Sequence, residues 1–314
     1  MSNAAILQPQ HLCESKSAPK YRKELNSLLK LSQPKTRADL IKRLDLIMGR
    51  SLSELAFLSG VDSPYNNRAG KGFAGQLTEI FLGADAGTLS EPDFTNLGIE
   101  LKTLPVGFDL MPAQSTFLCM ADLNPERFIP FEQSHLYHKL RHMLFVILLA
   151  PKGAKITERR ILGYFFFKPD NQTLKLFEQD YNEFNELILN ASAREIDGSA
   201  GNVIQMRPKA AASSEYIKVR DVSGNFTTTY PRAYYLRPWF TKKLMQDFMS
   251  MNKIDDLALS QLGKLKSAFG IDPSDLEAAL AADDDPLELQ DSQASKHTQA
   301  STIDTVSNHE IEDL

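Results

Sequence analysis

Long apolar runs are missing from this sequence. The longest, Met143 to Ala150, spans eight residues, which is strand length and less than half of the roughly 20 residues a membrane-spanning helix needs. The start, Met1-Ser-Asn-Ala-Ala-Ile-Leu, has no basic stretch leading into an apolar core, so no secretory signal is expected. Cysteine is scarce: Cys13 and Cys119 are the only two, far apart and in no metal-binding spacing. That excludes a disulfide framework and a cysteine-based zinc module, and favours a reducing, cytoplasmic setting. Internal repeats are also lacking. What remains is ordinary for a globular protein, with 42% hydrophobic and 24% charged residues over 314 positions. This length suits one large domain or two smaller ones with a real core.

The net charge of −5 averages two unlike regions. Residues 271–314 hold 12 Asp/Glu and a single basic residue, Lys296, a balance of −11. The rest of the chain keeps 34 basic and 28 acidic residues, or +6. A mildly basic body permits a nucleic-acid partner without establishing one.

The chain divides into a polar and basic leader (1–35), a body (36–253), and a weak helix followed by an acidic, largely disordered tail (254–314). Thr36-x-x-Asp39 predicts a capping box opening a helix with apolar Leu40, Ile41, Leu44, Ile47 and Met48. Ser51-x-x-Glu54 opens a second, closed by a polar loop. A third carries Phe73, Leu77, Ile80 and Phe81 on one face and stops at Gly83. Strands are expected within 97–121, at 143–149, 161–167, 203–207, 216–219 and 233–237, with helices at 134–141, 174–189 and 241–251. Helices precede, interrupt and follow a mixed sheet, so the fold class is α/β, or mixed α+β.

Three constellations invite chemistry. Gly70-Lys-Gly-Phe-Ala-Gly75 fits a dinucleotide-binding pattern, but a Pro/Asn-rich loop precedes it where a hydrophobic strand belongs. What survives is Lys71 before a helix N-terminus, where an ammonium and free N–H groups can hold a phosphate. His135, His138 and His142 share a helical face, yet no cysteine or His-Glu pairing accompanies them, so surface histidines are expected rather than a zinc site. The third is Asp93-x6-Glu100-x-Lys102. Strand alternation puts Glu100 and Lys102 on one face, about 7 Å apart, with Leu101 pointing inward. Asp93, entering from a turn, can fold back towards them. Two carboxylates can hold Mg²⁺ through hard oxygen ligands, and the lysine can position a water for in-line attack on a phosphodiester. Read alone, the pattern also fits a solvated strand with alternating charges.

The segments Lys71-Gly-Phe-Ala-Gly-Gln-Leu-Thr-Glu-Ile-Phe-Leu-Gly-Ala and Asp93-Phe-Thr-Asn-Leu-Gly-Ile-Glu-Leu-Lys-Thr-Leu-Pro resemble the MutH family of mismatch-repair endonucleases and, more distantly, restriction enzymes of the Sau3AI type. Ser115-Thr-Phe-Leu-Cys, Ser134-His-Leu-Tyr-His-Lys-Leu, Gln205-Met-Arg-Pro-Lys-Ala-Ala and Pro231-Arg-Ala-Tyr-Tyr-Leu continue the likeness in order, over about residues 36–252. The resemblance implies a restriction-endonuclease-like central mixed sheet flanked by helices, in two subdomains that form a DNA cleft. It implies Mg²⁺-dependent nicking of the unmethylated strand at hemimethylated GATC. Asp93, Glu100 and Glu79 would be the metal ligands, Lys102 the water-positioning lysine, and Lys71 the lysine near the scissile phosphate. Arg207, Pro208 and Lys209 match the DNA-reading loop, Tyr235 the tyrosine that senses adenine methylation, Phe117 an aromatic near the DNA, and Lys139 a helix lysine facing phosphate.

Residue by residue, simpler readings exist: Glu79 as an exposed helix glutamate, Tyr235 and Phe117 as core aromatics, Arg207 and Lys209 as surface charges. The family further implies stimulation by MutL, loaded through MutS, and a monomer suffices for nicking. Rival readings are a stand-alone restriction endonuclease and a non-catalytic DNA-binding module. The block Arg237-Pro-Trp-Phe replaces a more basic stretch common in the family, which puts backbone contacts there in doubt. The acidic tail is either a solubilising segment or a mimic of DNA charge.

Overall fold

The buried run Met143–Leu149 becomes the central strand. The computed structural model describes residues 33–64, 70, 72–84, 90–112, 114–209 and 216–251, with the backbone of Ala5–Ile6. In chain order the elements are β1 (Ala5–Ile6), α1 (Arg37–Ile47), α2 (Leu52–Ser59), α3 (Phe73–Leu82), β2 (Glu100–Val106), β3 (Thr116–Met120), α4 (His135–Leu140), β4 (Met143–Leu149), β5 (Arg160–Phe167), α5 (Asn171–Leu189), β6 (Ile204–Pro208), β7 (Ile217–Arg220), β8 (Phe226–Thr229), β9 (Arg232–Leu236) and α6 (Pro238–Met251). No helix among them is long and apolar enough to cross a membrane. The expected weak helix after residue 254 and the acidic tail lie outside the described residues.

Three sheets form. The first runs β1-β5-β4-β2, with β2 and β4 parallel and the other pairs antiparallel, so it is mixed. All seven residues of β4 are buried, as a strand covered on both faces requires. β2 lies at the sheet's edge, where Pro105 costs no ladder hydrogen bond. The second sheet is β3-β9-β6, antiparallel throughout, and the third is the hairpin β7-β8. Helix α3 packs on β2, and α5 packs on β6. Phe165 stacks between Phe145 and Phe248 at 5.0 and 5.2 Å, joining β4, β5 and α6. Each such ring contributes roughly 1.5–3 kcal/mol by burial.

The alternation and capping signals translate into structure with informative exceptions. Ser51 and Glu54 form the full capping box. At Thr36 the hydroxyl accepts from the Asp39 N–H but donates to the Asp39 carboxylate, so the reciprocal backbone bond is absent. On α3 the buried face is Phe73, Leu77, Thr78, Phe81 and Leu82, while Ile80 turns outward at 37% exposure. Helices α5 and α6 each begin three residues before the apolar periodicity starts, α5 because Asp170 caps it. Strand β8 carries no signal of its own, since Phe-Thr-Thr-Thr lacks alternation with charged residues. The leader contributes β1, pairing with Tyr164 and Gly163 of β5.

The loop between α5 and β6 is organised by two buried charges. Asp180 accepts from the backbone N–H groups of Asn202, Val203 and Ile204 at 2.6, 2.7 and 2.7 Å. Arg232 donates to the carbonyls of Ile196 and Arg194, both at 2.8 Å. Gly201, at φ +77°, is obligatory here, because a Cβ would stand 2.1 Å from the Ile204 carbonyl oxygen. Asp180→Ala strands three N–H donors in the interior, so urea denaturation should show a loss of about 3 kcal/mol or more.

Candidate active site and the second sheet

A tight turn makes the Asp93-to-Glu100 spacing meaningful. Phe94 and Ile99 pair as an antiparallel bridge, with the Phe94 N–H donating to the Ile99 carbonyl at 2.9 Å, and Gly98 closes the turn at φ +62°. The chain therefore doubles back, and Asp93 Oδ2 accepts the N–H of Leu101 at 2.8 Å. Glu100, only 1% exposed, starts β2, and its N–H donates to the His142 carbonyl at 3.0 Å. Lys102, two residues on along the same face, places Nζ 2.5 Å from Glu100 Oε1. Leu101 points into the core at 5% exposure.

Glu100 has a second lysine. Lys139 on α4 puts Nζ 3.1 and 2.9 Å from its two carboxylate oxygens and 3.2 Å from the Glu91 carbonyl. Lys139, expected as a helix lysine facing phosphate, is 7% exposed and turned towards Glu100. The signal was available: Leu136, Lys139 and Leu140 share one face of a short helix, and two leucines on that face turn it inward. Glu79 comes from α3 to the same place. Burial pushes its carboxyl above the ordinary value, and its field is shared with Lys102, Glu100 and Lys139. Asp93 is pushed up to about 6, chiefly by burial and then by Glu100. Cys119 on β3 sits within the same field, its thiol raised to about 12 by burial, so it is not a thiolate nucleophile.

Three carboxylates and two lysines thus occupy one partly dry region, an excess of one negative charge. Such a set fits a hard cation, although among the described residues no three acidic, histidine or cysteine groups converge as a ready-made cage. Mg²⁺ is ordinarily held by one or two carboxylates together with substrate phosphate oxygens and waters, so a protein cage is not required. Among the described residues, His135, His138 and His142 are not part of any group arranged to hold a metal ion. Lys71 lies outside the described residues.

The second sheet presents its own surface. Leu118, Met206 and Tyr234 are buried, Tyr234 against Phe184 and Tyr181 of α5. On the other face Phe117 and Tyr235 are half-buried partners across β3 and β9, in edge contact at 5.6 Å. The Arg207 guanidinium lies 5.6 Å from the Tyr235 centroid and donates to Ser115 Oγ at 3.1 Å. Lys209 Nζ lies 4.5 Å from the Phe117 centroid. These residues are not core aromatics with scattered charges but one aromatic and cationic face, with Pro208 between its two cations. Arg237 serves the framework instead, donating to the carbonyls of Gly198, Ser199, Ala200 and Gly201.

A family model described as "DNA mismatch repair enzyme MutH" matches residues 82–180, which include Asp93, Glu100, Lys102 and Lys139. The chain is 34% identical over 213 residues to a DNA mismatch repair protein MutH of Vibrio parahaemolyticus serotype O3:K6 (strain RIMD 2210633), covering 68% of this chain and 94% of the relative. The Escherichia coli (strain SMS-3-5 / SECEC) protein of that name is 34% identical over 215 residues, 68% and 94% of the two chains. That of Shewanella putrefaciens (strain CN-32 / ATCC BAA-453) is 34% identical over 212 residues, 68% and 95%. The chain belongs to the MutH family. It is therefore a DNA endonuclease of mismatch repair, and its mixed sheet with flanking helices accords with the restriction-endonuclease-like fold.

The buried Asp93 generates a prediction. Between the unfolded carboxyl value of 3.8 and about 6 the folded chain holds the extra proton, so stability falls as pH rises through that window. Asp93→Asn keeps an acceptor for Leu101 and removes the charge. In chelator it should be more stable than the parent at pH 7.5, by on the order of 2 kcal/mol, and the gain should vanish near pH 3.5.

Proposed function

We propose that this protein nicks the unmethylated strand of duplex DNA at hemimethylated GATC in a Mg²⁺-dependent reaction, as a monomer stimulated by MutL and, through it, by MutS. The observation that carries the cutting chemistry is the buried Glu100, held by Lys102 and Lys139, with Asp93 and Glu79 in the same net-negative field. Asp93 and Glu100, with Glu79 behind them, would hold the metal. When bound, the ion would lower the pKa of a coordinated water and offset charge on the scissile phosphate.

The chain's own groups divide the remaining work. Lys139 fixes Glu100 through both oxygens, so the carboxylate cannot swing away from its strand. Lys102, 15% exposed at its side chain, is the lysine with access to solvent, and orients the attacking water. Leu101's N–H holds Asp93 in place. The second sheet reads DNA: Arg207 is suited to paired hydrogen bonds with guanine O6 and N7. Tyr235, beside it, supplies a rigid ring against which a methyl on adenine N6 would collide. Family membership together with these residues' presence supports the sequence and methylation preference and the MutL and MutS partnership. A binding-only module is disfavoured, because buried carboxylates facing a phosphate weaken DNA affinity unless a cation is present.

The test is plasmid cleavage with Mg²⁺ on unmethylated, hemimethylated and fully methylated GATC, with MutL and ATP present or absent. Nicking confined to unmethylated strands, raised by MutL and abolished in Lys102→Ala with DNA binding retained, is the expected result. Double-strand cutting indifferent to MutL would make the protein a restriction enzyme. Cleavage by Lys102→Ala at the parent rate would overturn the site.

A further inference from the structure

Like charges gathered without an acid partner destabilise a fold unless an anion offsets them. At the strand ends that carry Glu100, three cations, Arg37, Arg141 and Lys168, gather around the His142 imidazole. Arg37 opens α1 with its guanidinium carbon 4.1 Å from the Phe166 centroid. His142, immediately before β4, packs its ring 6.0 Å from the same Phe166. Arg141 reaches the turn before β2, where its Nη2 lies 2.9 Å from the position a Cβ on Gly98 would take. Lys168 follows β5 directly and is exposed. Burial, then Arg37, Lys168 and Arg141, hold the His142 imidazole below its ordinary value.

None of the four makes an ion pair among the described residues. Arg37 Nε is buried with no hydrogen-bond partner. Asp39, one turn into α1, is engaged by Thr36. The cluster adjoins the carboxylate site through two links. The Glu100 N–H donates to the His142 carbonyl at 3.0 Å. Gln33, just before α1, donates to Thr95 Oγ1 at 3.0 Å and accepts from the Asn96 N–H at 3.4 Å, within the Asp93–Glu100 turn.

We infer that Arg37, Arg141, His142 and Lys168 cradle one backbone phosphate of the DNA strand that passes the carboxylate site. The inference rests on the DNA-cutting reading and adds to it an interaction that is blind to sequence. Arginine and lysine suit this, one supplying a planar fork and the other a compact charge, and Phe166 holds the Arg37 guanidinium flat.

The experiment compares the parent with Arg141→Gln/Lys168→Gln, both exposed positions whose change leaves the core intact. Duplex affinity is measured in Ca²⁺ across a salt series, on duplexes carrying a single neutral methylphosphonate at successive positions. The expected result is a salt slope shallower by about 0.9, the value for the one phosphate that the variant leaves unneutralised, with GATC and non-GATC duplexes weakened by the same factor. One methylphosphonate position that weakens the parent should have no effect on the variant. An unchanged slope, or a methylphosphonate pattern identical in both proteins, would overturn the inference while leaving DNA binding intact. Inorganic phosphate shifting the Tm of the parent and not the variant, with the methylphosphonate pattern unchanged, would make this a site for free anions and overturn it too. A parent that fails to bind any duplex would instead overturn the DNA-cutting reading, on which the inference stands.

Discussion

A carboxylate with 1% exposure needs partners, and Glu100 finds them in Lys102 on its own strand and Lys139 on α4. Much of the site follows from that one requirement. Lys139 reaches Glu100 only because α4 lies immediately before β4 and β4 runs parallel to β2, in register from Glu100 and Met143 onward. The parallel pair in turn demands cover on both faces, which α3 and the aromatic stack of Phe145, Phe165 and Phe248 help to supply. A charged triad inside a protein is poor at stabilising it. Its presence here, beside two further carboxylates raised by burial, fits the ligand-binding role proposed for the site.

The second sheet solves a different problem. Its inner face is anchored by Tyr234 on α5, and the loop leading into β6 is fixed by Asp180 from one side and Arg237 from the other. Arg207 and Tyr235 therefore project from strands with little freedom to shift. Preorganised aromatic and cationic groups lose less entropy on binding than loop residues would.

The sequence was legible wherever a local rule operated. The run Met143–Leu149 could only be a buried strand, Ser51 and Glu54 announced a helix start, and Glu100-x-Lys102 predicted two side chains on one face. Asp93 required more, since its return depends on a turn closed by Gly98. Glu79 and Cys119 could not be placed by spacing at all, because packing of α3 and β3 brings them in. Lys139 was legible in principle from its face of α4, yet a lysine beside histidines and Arg141 reads as surface until Glu100 is known to be buried. Strand β8 and the pairing of β1 depend on neighbours rather than on their own residues.

The central claim is that the buried carboxylates make this a cation-dependent DNA site. Its most direct measurement is duplex affinity with chelator and with Ca²⁺, a divalent ion chosen to bind without driving turnover. The account predicts tightening by about tenfold, or 1.4 kcal/mol, in the parent and little or none in Asp93→Asn, whose site has already lost the charge. Equal affinity of the parent in chelator and in Ca²⁺ would contradict it.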